Sequence, residues 1–427
     1  MKILVFYPYV PWPLDRGTYQ RTFNLLRELA KTQEVDLLAL AENGAGLEHK
    51  SVFQSFCRKV EFVPFQHPNW EKLFPTRLLN RLPTSIAHWT MPHVDEALDK
   101  MLRAGNYDAV HACDIVLAQY FMRKHRDIPL VIDRSRVDLQ FQLMEHQKMN
   151  FSPRTKLLRS EGYLKLWLFE RAVANRVALE IVCGPDDEIF LRKYVRKTMP
   201  VSVLVNGVDL AYFRPDSAAE QRTERPSLIF CGAMDYNPNI DALRWYFQEI
   251  HAPLCKLIPD LEVLVVGKQP TPEIVAYGKK ANVTVTGGVP DVRPYYRKAW
   301  MQIVPLRIGG GTRLKIVESL AMGTPVVSTS IGAQGLYLLH GHDVLLADSA
   351  SDFAAQTARA LREADLRNKL EKNGLETVQA RFSWSTLGRE LSIIYKHRFA
   401  KGGGSSSNRV SKLADEKLRK KNTAQPN

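Results

Sequence analysis

Short apolar runs alternate along the chain with longer stretches in which apolar residues recur every three or four positions. The segment 17–31 is of the second kind, because Phe23, Leu26 and Leu29 fall on one face of a helix. The short runs predict buried strands, and in the first half they read "KILVFYP", "EVDLLAL", "VEFVPF", "YDAVHACD", "PLVIDRS" and "LEIVCG". Strands that alternate with helices are typical of a parallel sheet covered by crossover helices.

A second series of strand-like runs follows the Pro-rich and charge-rich segment 214–226. Its runs read "LIFCGAM", "LEVLVVG", "VTVTGGV", "MQIVP", "TPVVST" and "DVLLAD". The pattern predicts an α/β protein with two doubly wound, Rossmann-like domains that face a cleft, where ligands bind at the carboxyl ends of the strands. The predicted units are an N-terminal domain (1–203), a C-terminal domain (204–383), a helix that returns toward the N-terminal domain (384–400) and a flexible basic tail (401–427).

One loop in the second series places positive charge where a helix does not favour it. In "IGGGTRLKIVESLAMGTPVV", Thr312 is a good N-cap for the helix, and Gly323 followed by Pro325 ends it. Yet Arg313 and Lys315 lie in the first turn, where the helix dipole disfavours each cation by about 0.3–1 kcal/mol. Glycines before a helix N-terminus can form a nest of N–H groups for phosphate oxygens, and two cations would balance such an anion. The alternative is a flexible glycine turn with two solvated cations.

Composition narrows the class of protein. The chain has 427 residues, of which 45% are hydrophobic and 24% charged, enough for a large core in two or three domains. Its five cysteines are far apart, which argues against a disulfide framework or a zinc site and favours a reducing cytoplasm. The start reads as a buried strand rather than a signal peptide, and no run reaches the roughly 18 apolar residues of a membrane span. We therefore expect a soluble, cytoplasmic protein.

The net charge of +14 points to an anionic partner. The tail from Lys401 carries +5 of this charge and the rest of the chain +9, without a nucleic-acid-binding module. The stretch "KLFPTRLLNRLP" interleaves Lys72, Arg77 and Arg81 with leucine and phenylalanine. These features predict peripheral contact with an anionic membrane at its inner face; the alternative is that the charges are merely solvated and the tail is disordered.

Several segments together resemble one enzyme family. "GGGTRLKIVESLAMGTPVVST" is similar to the donor-site signature of the family-4 retaining glycosyltransferases of the GT-B fold. "VLVNGVDLAYFRP", "FCGAMDYNPNIDAL", "LEVLVVG", "VTVTGGVPDVRPYY" and "FSWSTLGRELSIIY" resemble further landmarks, in the order that the family has them. The resemblance runs from Lys2 to about Arg398, and it points to the branch of sugar transferases associated with bacterial exopolysaccharide systems.

The resemblance implies transfer of a hexosyl group from a nucleoside-diphosphate sugar, held by the C-terminal domain, to a saccharide or lipid-linked acceptor on the N-terminal domain. Glu318 matches the family glutamate that accepts hydrogen bonds from the ribose hydroxyls. Gly17 matches a loop that reaches over the donor phosphates, and Gly287 a position where the base meets main-chain groups. The residues implied to hold the diphosphate are Gly309, Gly310, Gly311, Thr312, Arg313 and Lys315.

The chain departs from the family pattern at two places. The family often has a second glutamate eight residues before Glu318, where this chain has Gly310, so a carboxylate that contacts the sugar is missing. Many members also carry an Arg and a Lys after the first strand of the C-terminal domain, where this chain reads "CGAMDYNPN". Arg313 and Lys315 are the candidates to compensate for the missing cations.

Other candidate residues also have a structural explanation. His111 ends the strand "YDAVHACD" and is expected to point toward the cleft edge as a catalytic group, although a histidine at a strand end is often structural. Asp133 and Arg134 end the next strand and are expected at the same edge. Gly17 and Gly287 are also compatible with ordinary turns at strand ends.

The resemblance implies front-face transfer with retention, which needs no carboxylate pair, and the chain shows none comparable to that of retaining glycosidases. Arg313, Lys315 and the glycine N–H groups would stabilise charge on the leaving diphosphate. The absence of a D-x-D pattern near the donor loop predicts a reaction without a metal or another cofactor. Two alternatives stay open: a non-catalytic sugar-nucleotide-binding subunit, and a nucleotide-sugar epimerase of the same fold.

Overall fold

The computed structural model describes residues 1–14, 16–67, 79–148, 152–215, 222–308 and 313–399. Four of the predicted donor-binding residues, Gly309, Gly310, Gly311 and Thr312, lie outside the described residues. Lys72 and Arg77 of the predicted membrane stretch also lie outside them, as does the basic tail.

The N-terminal domain is built on a parallel sheet of seven strands, in the order β3-β2-β1-β4-β5-β6-β7. The strands are β1 (Lys2–Tyr7), β2 (Glu34–Glu42), β3 (Lys59–Phe65), β4 (Ala109–Cys113), β5 (Leu130–Arg134), β6 (Leu179–Val182) and β7 (Val201–Val203). The helices are α1 (Gly17–Ala30), α2 (Lys50–Gln54), α3 (Thr84–Ala87), α4 (Pro92–Gly105), α5 (Asp138–Lys148), α6 (Pro153–Ala174) and α7 (Pro185–Tyr194). Strands β1, β2, β4 and β5 are almost wholly buried because helices cover both faces of the sheet.

The C-terminal domain contains a second parallel sheet of six strands, in the order β10-β9-β8-β11-β12-β13. The strands are β8 (Ser227–Cys231), β9 (Glu262–Val266), β10 (Val283–Gly287), β11 (Met301–Val304), β12 (Val326–Ser328) and β13 (Leu345–Leu346). The helices are α8 (Asn237–Trp245), α9 (His251–Leu257), α10 (Pro272–Tyr277), α11 (Arg293–Lys298), α12 (Leu314–Ala321), α13 (Ala350–Arg362), α14 (Ala364–Arg381) and α15 (Trp384–Phe399). In each sheet the strand order reverses beside the first strand, which creates a crevice at the carboxyl ends of the strands.

The last helix, α15, packs against α1 and so belongs spatially to the N-terminal domain. Its side chains Trp384, Leu387, Leu391 and Tyr395 are buried in the same apolar cluster as β1, β2 and α1. The close contact occurs at Gly388, where a Cβ atom would lie 2.4 Å from the Cβ of Glu28 on α1. The chain therefore crosses between the domains twice, once after β7 and once before α15.

The predicted α/β class and the GT-B arrangement of two Rossmann-like domains are confirmed, and all twelve predicted strand segments contain a strand. The three-residue strand β7 was not among them. The predicted start of the donor-loop helix is wrong by one residue: α12 begins at Leu314, so Arg313 occupies the N-cap position and not the first turn. Of the helices described, none has the length and apolar character needed to cross a membrane.

Substitution of Gly388 by alanine tests the packing of α15 on α1. Alanine is the better helix former by about 1 kcal/mol, so an open site would be stabilised. The new Cβ would lie 2.4 Å from the Cβ of Glu28, which is too close for two carbon atoms. We therefore expect Gly388→Ala to lower the free energy of unfolding by about 1–3 kcal/mol. Urea denaturation measures this free energy of unfolding. Arg389→Ala, at an exposed position of the same helix, is the control and should change it by no more than about 0.5 kcal/mol. An increase in stability for Gly388→Ala would contradict the packing.

Candidate active site

The candidate site lies at the carboxyl ends of β8 and β11, beside the first turn of α12. The apolar face of α12, formed by Ile316, Val317 and Leu320, is buried in the core of the C-terminal domain and fixes the helix against the sheet. The helix ends as predicted at Gly323, whose φ is +70°, and the amide of Thr324 donates to the carbonyl of Ser319. The start of α12 is therefore held in place for the residues that it carries toward the cleft.

Lys315 is a partly buried cation whose direct contacts are with neutral groups. Its Nζ donates a hydrogen bond of 2.8 Å to Oδ1 of Asn239 and lies 4.3 Å from the ring centroid of Phe230. Among the described residues no carboxylate lies within salt-bridge distance of this ammonium. Burial and, to a smaller extent, the positive charge of Arg313 lower the pKa of Lys315 to about 8, while Cys231 and Glu318 act in the opposite direction. The group is thus a cation that an arriving anion would stabilise.

Arg313 supplies a second positive charge at the N-cap of α12. Its side chain is 8% exposed, and Nη2 lies 3.5 Å from the carbonyl oxygen of Ile331. Burial lowers the pKa of this guanidinium, although it remains charged because the pKa of arginine is far above neutral. Burial raises the pKa of Asp187, on α7 of the N-terminal domain, to about 6, while Arg134 and Arg313 act in the opposite direction. The positive charge of Arg313 at the start of α12 therefore acts across the cleft on the carboxyl of Asp187.

Two glycines let backbone segments approach each other beneath Lys315. A Cβ on Gly232, which follows β8, would lie 2.9 Å from Nζ of Lys315 and 2.7 Å from Nδ2 of Asn239. A Cβ on Gly267, which follows β9, would lie 1.6 Å from the carbonyl oxygen of Gly232. The amide of Asn239 is oriented by its own hydrogen bond of 2.8 Å to the carbonyl of Ala233. The glycines therefore make room for the ammonium at the end of the sheet.

Glu318 lies one turn along α12 from Lys315, as the spacing of residues predicts. Burial raises the pKa of its carboxyl to about 7, and a hydrogen bond from the Gln20 side chain and the charge of Lys315 act in the opposite direction. Gln20 belongs to α1 of the N-terminal domain, and Gly17 at the start of α1 also reaches α12, since its Cβ would lie 2.7 Å from Cδ1 of Leu314. The structure thus places Gly17 beside the candidate site, while its contact with a donor stays a prediction.

The wall of the cleft is completed by an aromatic contact between the domains. Phe141 on α5 stacks on Tyr236, which precedes α8, with ring centroids 6.5 Å apart. The guanidinium of Arg136 lies 4.2 Å from the centroid of Phe141. A cavity of about 500 Å³ opens beside this contact, and its lining includes Glu145 from α5 and Asp241 from α8. Such a space is large enough for a saccharide unit.

The expectation that His111 points to the cleft edge is wrong. The ring is 3% exposed because α15 covers β4, and its Nδ1 lies 2.7 Å from the hydroxyl of Tyr395. Its Nε2 lies 3.6 Å from Oδ2 of Asp133. His111 is therefore part of a buried polar cluster in the N-terminal domain, and its predicted catalytic role is left without a contact to the cleft.

Asp133 and Arg134 were also expected at the cleft edge and are instead buried in ion pairs. Asp133 accepts hydrogen bonds from Arg21, at 2.7 Å from Nη2, and this cation holds the pKa of the carboxyl below its usual range against the effect of burial. Arg134 pairs with Glu170 at 2.7 Å and with Glu180. A buried charge needs a partner, so these residues fix strands and helices to each other.

Arg21 was not predicted from the sequence, although it joins three parts of the N-terminal domain. Its Nη1 donates to the carbonyl of Leu204 at 2.9 Å and to Oδ1 of Asn206 at 2.8 Å, in the segment that leaves the domain. Its neighbours on α1 are the polar residues Gln20 and Thr22, so the sequence gives no signal that Arg21 is buried. Asn206 is likewise buried, as a partner of this cation.

The described residues include one cluster with metal-ligand chemistry, formed by His111, Cys113 and Asp133, whose ligand atoms lie within 4.8 Å of one another. A cation placed there would have to share Asp133 with the guanidinium of Arg21, 2.7 Å away. Burial raises the pKa of the Cys113 thiol, so the thiolate that a metal requires is disfavoured. We therefore assign no metal site to this cluster.

Gly287 ends β10 at the edge of the sheet and adopts a left-handed conformation with φ of +71°. A Cβ at this position would meet no atom within 4 Å, so the backbone conformation and not close packing requires glycine. A strand-end turn accounts for the residue, and its contact with a nucleotide base stays a prediction.

Known proteins resemble this chain in sequence and in fold. Residues 225–363 match the family described as Glycosyl transferases group 1. The lipopolysaccharide core biosynthesis mannosyltransferase LpcC of Rhizobium leguminosarum bv. viciae is 27% identical over 210 residues, which cover 46% of this chain and 58% of that protein. Another curated relative is matched over 42% of its length, so the chain spans about half the length of these relatives.

Solved structures resemble nearly the whole described fold. Sucrose-phosphate synthase from Thermosynechococcus elongatus superposes with a TM-score of 0.70 at 21% identity, over 94% of this chain and 100% of that one. Anabaena HepE in complex with UDP-glucose superposes with a TM-score of 0.62 at 15% identity, over 92% and 98% of the two chains. The chain therefore has the GT-B fold, with two parallel α/β domains that face a common cleft, and residues 225–363 of its C-terminal domain are similar to the group 1 glycosyltransferases.

Proposed function

We propose that this protein is a retaining glycosyltransferase that moves a hexosyl group from a nucleoside-diphosphate sugar to a hydroxyl of a saccharide or lipid-linked acceptor. We further propose that it acts in the assembly of a bacterial exopolysaccharide or another cell-surface glycan, at the inner face of the membrane. The observation that carries the proposal is Lys315, a partly buried ammonium beside Arg313 whose pKa is lowered to about 8. Two cationic side chains at the start of one helix are suited to a dianion such as a diphosphate.

The nearby groups suit the rest of a nucleotide. Glu318 places a carboxylate one turn from Lys315, at a distance along the helix suited to a ribose next to its phosphates. The mannosyltransferase relative and the UDP-glucose complex support a nucleoside-diphosphate sugar as donor. Lys315 and Arg313 then take the place of the Arg and Lys that many family members carry after β8. We propose that no metal is needed, since these side chains can balance the diphosphate charge.

In the proposed mechanism the diphosphate leaves while the acceptor hydroxyl attacks from the same face of the sugar. Negative charge grows on the leaving phosphate oxygen, where Lys315 and Arg313 stabilise it by electrostatics. The contact of α1 with α12 at Gly17 and Leu314 closes one side of the cleft and excludes water that would hydrolyse the donor. The saccharide of the acceptor enters from the N-terminal side, beside Phe141 and Tyr236.

Glycosyl transfer is tested by incubating the protein with radiolabelled UDP-sugars and GDP-sugars and a lipid-linked saccharide acceptor. We expect label in the lipid fraction, loss of this product in Lys315→Met, and retention of the anomeric configuration by nuclear magnetic resonance. Tight nucleotide binding without any transfer would instead support a non-catalytic subunit. Conversion of the nucleotide sugar to its epimer would support the epimerase.

The pKa of Lys315 predicts how the affinity for a diphosphate depends on pH. Bound phosphate oxygens stabilise the charged ammonium and raise its pKa above 8, so binding takes up a proton above that pH. The contribution of Lys315 to the affinity for UDP and GDP should thus begin to weaken near pH 8, where the phosphates are already ionised, and then fall by at most about tenfold per pH unit. Isothermal titration calorimetry in buffers of different ionisation enthalpy measures both the affinity and the proton uptake.

Lys315→Met should remove this pH dependence and weaken UDP binding by about 1.5–3 kcal/mol, the range for hydrogen bonds to charged groups. Lys256→Met, which removes an exposed lysine at the opposite end of the domain, is the matched control and should bind UDP as the unmodified protein does. An unchanged pH profile in Lys315→Met would assign the titration to another group and reject the role of Lys315.

Glu318 is predicted to recognise the ribose and not the phosphates. Glu318→Gln keeps the shape of the side chain, so we expect weaker UDP binding, by about 1–3 kcal/mol, with an unchanged affinity for inorganic pyrophosphate. Because the pKa of Glu318 is about 7, the advantage of UDP over pyrophosphate should grow from pH 6 to pH 8 as the carboxylate ionises. Equal losses for both ligands, or a large drop in melting temperature, would show that Glu318 is structural.

A further inference from the structure

The helix α6 carries an exposed apolar stripe. Leu157, Leu164 and Leu168 are 73%, 54% and 53% exposed, and their spacing places them on one face of the helix. The stripe is roughly 16 Å long at the rise of an α-helix. Single exposed leucines are ordinary, but three in a row on one helix form a patch of the kind that binds another surface.

Aromatic side chains extend this stripe toward α7. Trp167, on the flank of the stripe, donates a hydrogen bond of 2.7 Å from its indole nitrogen to the carbonyl of Tyr194 at the end of α7. Tyr194 is 45% exposed. Tryptophan and tyrosine with one apolar and one hydrogen-bonding end are suited to the boundary between water and lipid. We call these five side chains, Leu157, Trp167, Leu164, Leu168 and Tyr194, the α6 surface.

The most exposed charged groups around the α6 surface are cations. Between residues 152 and 199 they are Arg154, Lys156, Arg171, Lys193, Arg196 and Lys197, whereas Glu188 on α7 is 29% exposed and pairs with Arg192. The acidic side chains of α6 are not exposed to this degree, since Glu170 is buried against Arg134 and Glu161 pairs with Lys165 at 2.6 Å. Exposed leucines bordered by cations complement an anionic lipid surface in both charge and polarity.

The α6 surface lies next to the cleft. Helix α5 forms the N-terminal wall of the cleft through Phe141, and α6 is joined to α5 by an ion pair of 2.7 Å between Arg159 and Glu145. Glu145 also lines the cavity between the domains. A membrane that contacts α6 would therefore lie beside the opening through which an acceptor enters.

Two other occupants of the α6 surface are disfavoured by charge. The basic tail has seven Lys or Arg residues and two acidic ones from Lys401 onward, so it would be repelled by the cations around the stripe. A second copy of the chain in a symmetric contact would bring the same cations together across the interface. An anionic membrane is the partner that both the leucines and the cations favour.

We propose that the α6 surface binds anionic phospholipid membranes, with the leucines inserted at the headgroup level and the cations on the lipid phosphates. The stretch 72–83 that the sequence suggested lies largely outside the described residues and stays a separate prediction. Membrane binding is inferred from the described residues of α6 and α7 alone. The further role of this binding, to present a lipid-linked acceptor to the cleft, rests on the proposed function.

Sedimentation of the full chain with vesicles tests the proposal. We expect binding to phosphatidylcholine vesicles that contain about one third phosphatidylglycerol, no binding to pure phosphatidylcholine, and release by salt. Leu157→Ser combined with Leu164→Ser and Leu168→Ser should lower the partition coefficient at least about tenfold, because inserted apolar area is lost. Replacement of Arg154, Lys156 and Arg171 by glutamine should lower it roughly fivefold per charge.

Two control variants separate the α6 surface from general effects. Replacement of Leu257, Val275 and Leu339 by serine removes exposed apolar side chains of the C-terminal domain, at 38%, 51% and 57% exposure, and should leave binding unchanged. Replacement of Lys417, Arg419, Lys420 and Lys421 by glutamine neutralises the tail and should leave most of the binding. Circular dichroism and UDP calorimetry establish that every variant is folded.

The outcomes that overturn the proposal are distinct. Equal binding of the leucine variant and the unmodified chain would reject the α6 surface, and loss of all binding in the tail variant would assign it to the tail. A dimer in sedimentation velocity that the leucine variant abolishes, without vesicle binding, would identify a second copy as the partner. Vesicle binding without glycosyl transfer would reject the proposed function alone, and transfer to a water-soluble acceptor without vesicle binding would reject the α6 surface alone.

Discussion

The placement of the Lys315 ammonium at the end of the C-terminal sheet is the constraint on which the site depends. A cation taken partly out of water and next to Arg313 is destabilised, as its lowered pKa shows. The fold compensates for this with neutral groups: the amide oxygen of Asn239 and the ring face of Phe230. Neutral partners leave the charge available, whereas a carboxylate partner would have cancelled it. Burial of the charged ammonium costs free energy, and an anion bound beside Lys315 would offset this cost.

This placement requires particular backbone geometry. Gly232 and Gly267 bring the ends of β8 and β9 so close that a Cβ on either one would collide with the other segment, with Lys315 or with Asn239. The start of α12 is set by its buried apolar face, and its end by the left-handed turn at Gly323. The packing of the C-terminal domain thus determines the positions of the cations to within the width of a side chain.

Much of the fold follows from local patterns, while much of the site does not. The strands were predictable because each is a short apolar run between turn residues, and such runs leave few alternatives in a parallel sheet. Lys315 and Glu318 were predictable since both follow from the spacing along one helix. His111, Asp133 and Arg134 were misplaced because their environment depends on α15, α6 and α1, which are distant in sequence. Nor could Asn239 be recognised as the partner of Lys315, 76 residues away.

The arginines of the N-terminal domain and the lysine of α12 differ in their charge balance. Arg21 and Arg134 pair with Asp133, Glu170 and Glu180, and these ion pairs hold the sheet to its helices. Lys315 is flanked by the amide of Asn239, the ring of Phe230 and Glu318, whose carboxyl has a pKa of about 7. Near neutral pH this carboxyl is ionised in only part of the molecules, so it balances the cations incompletely. Amino-acid type alone does not distinguish the structural arginines from the cations of the candidate site. The number of carboxylates around each cation does.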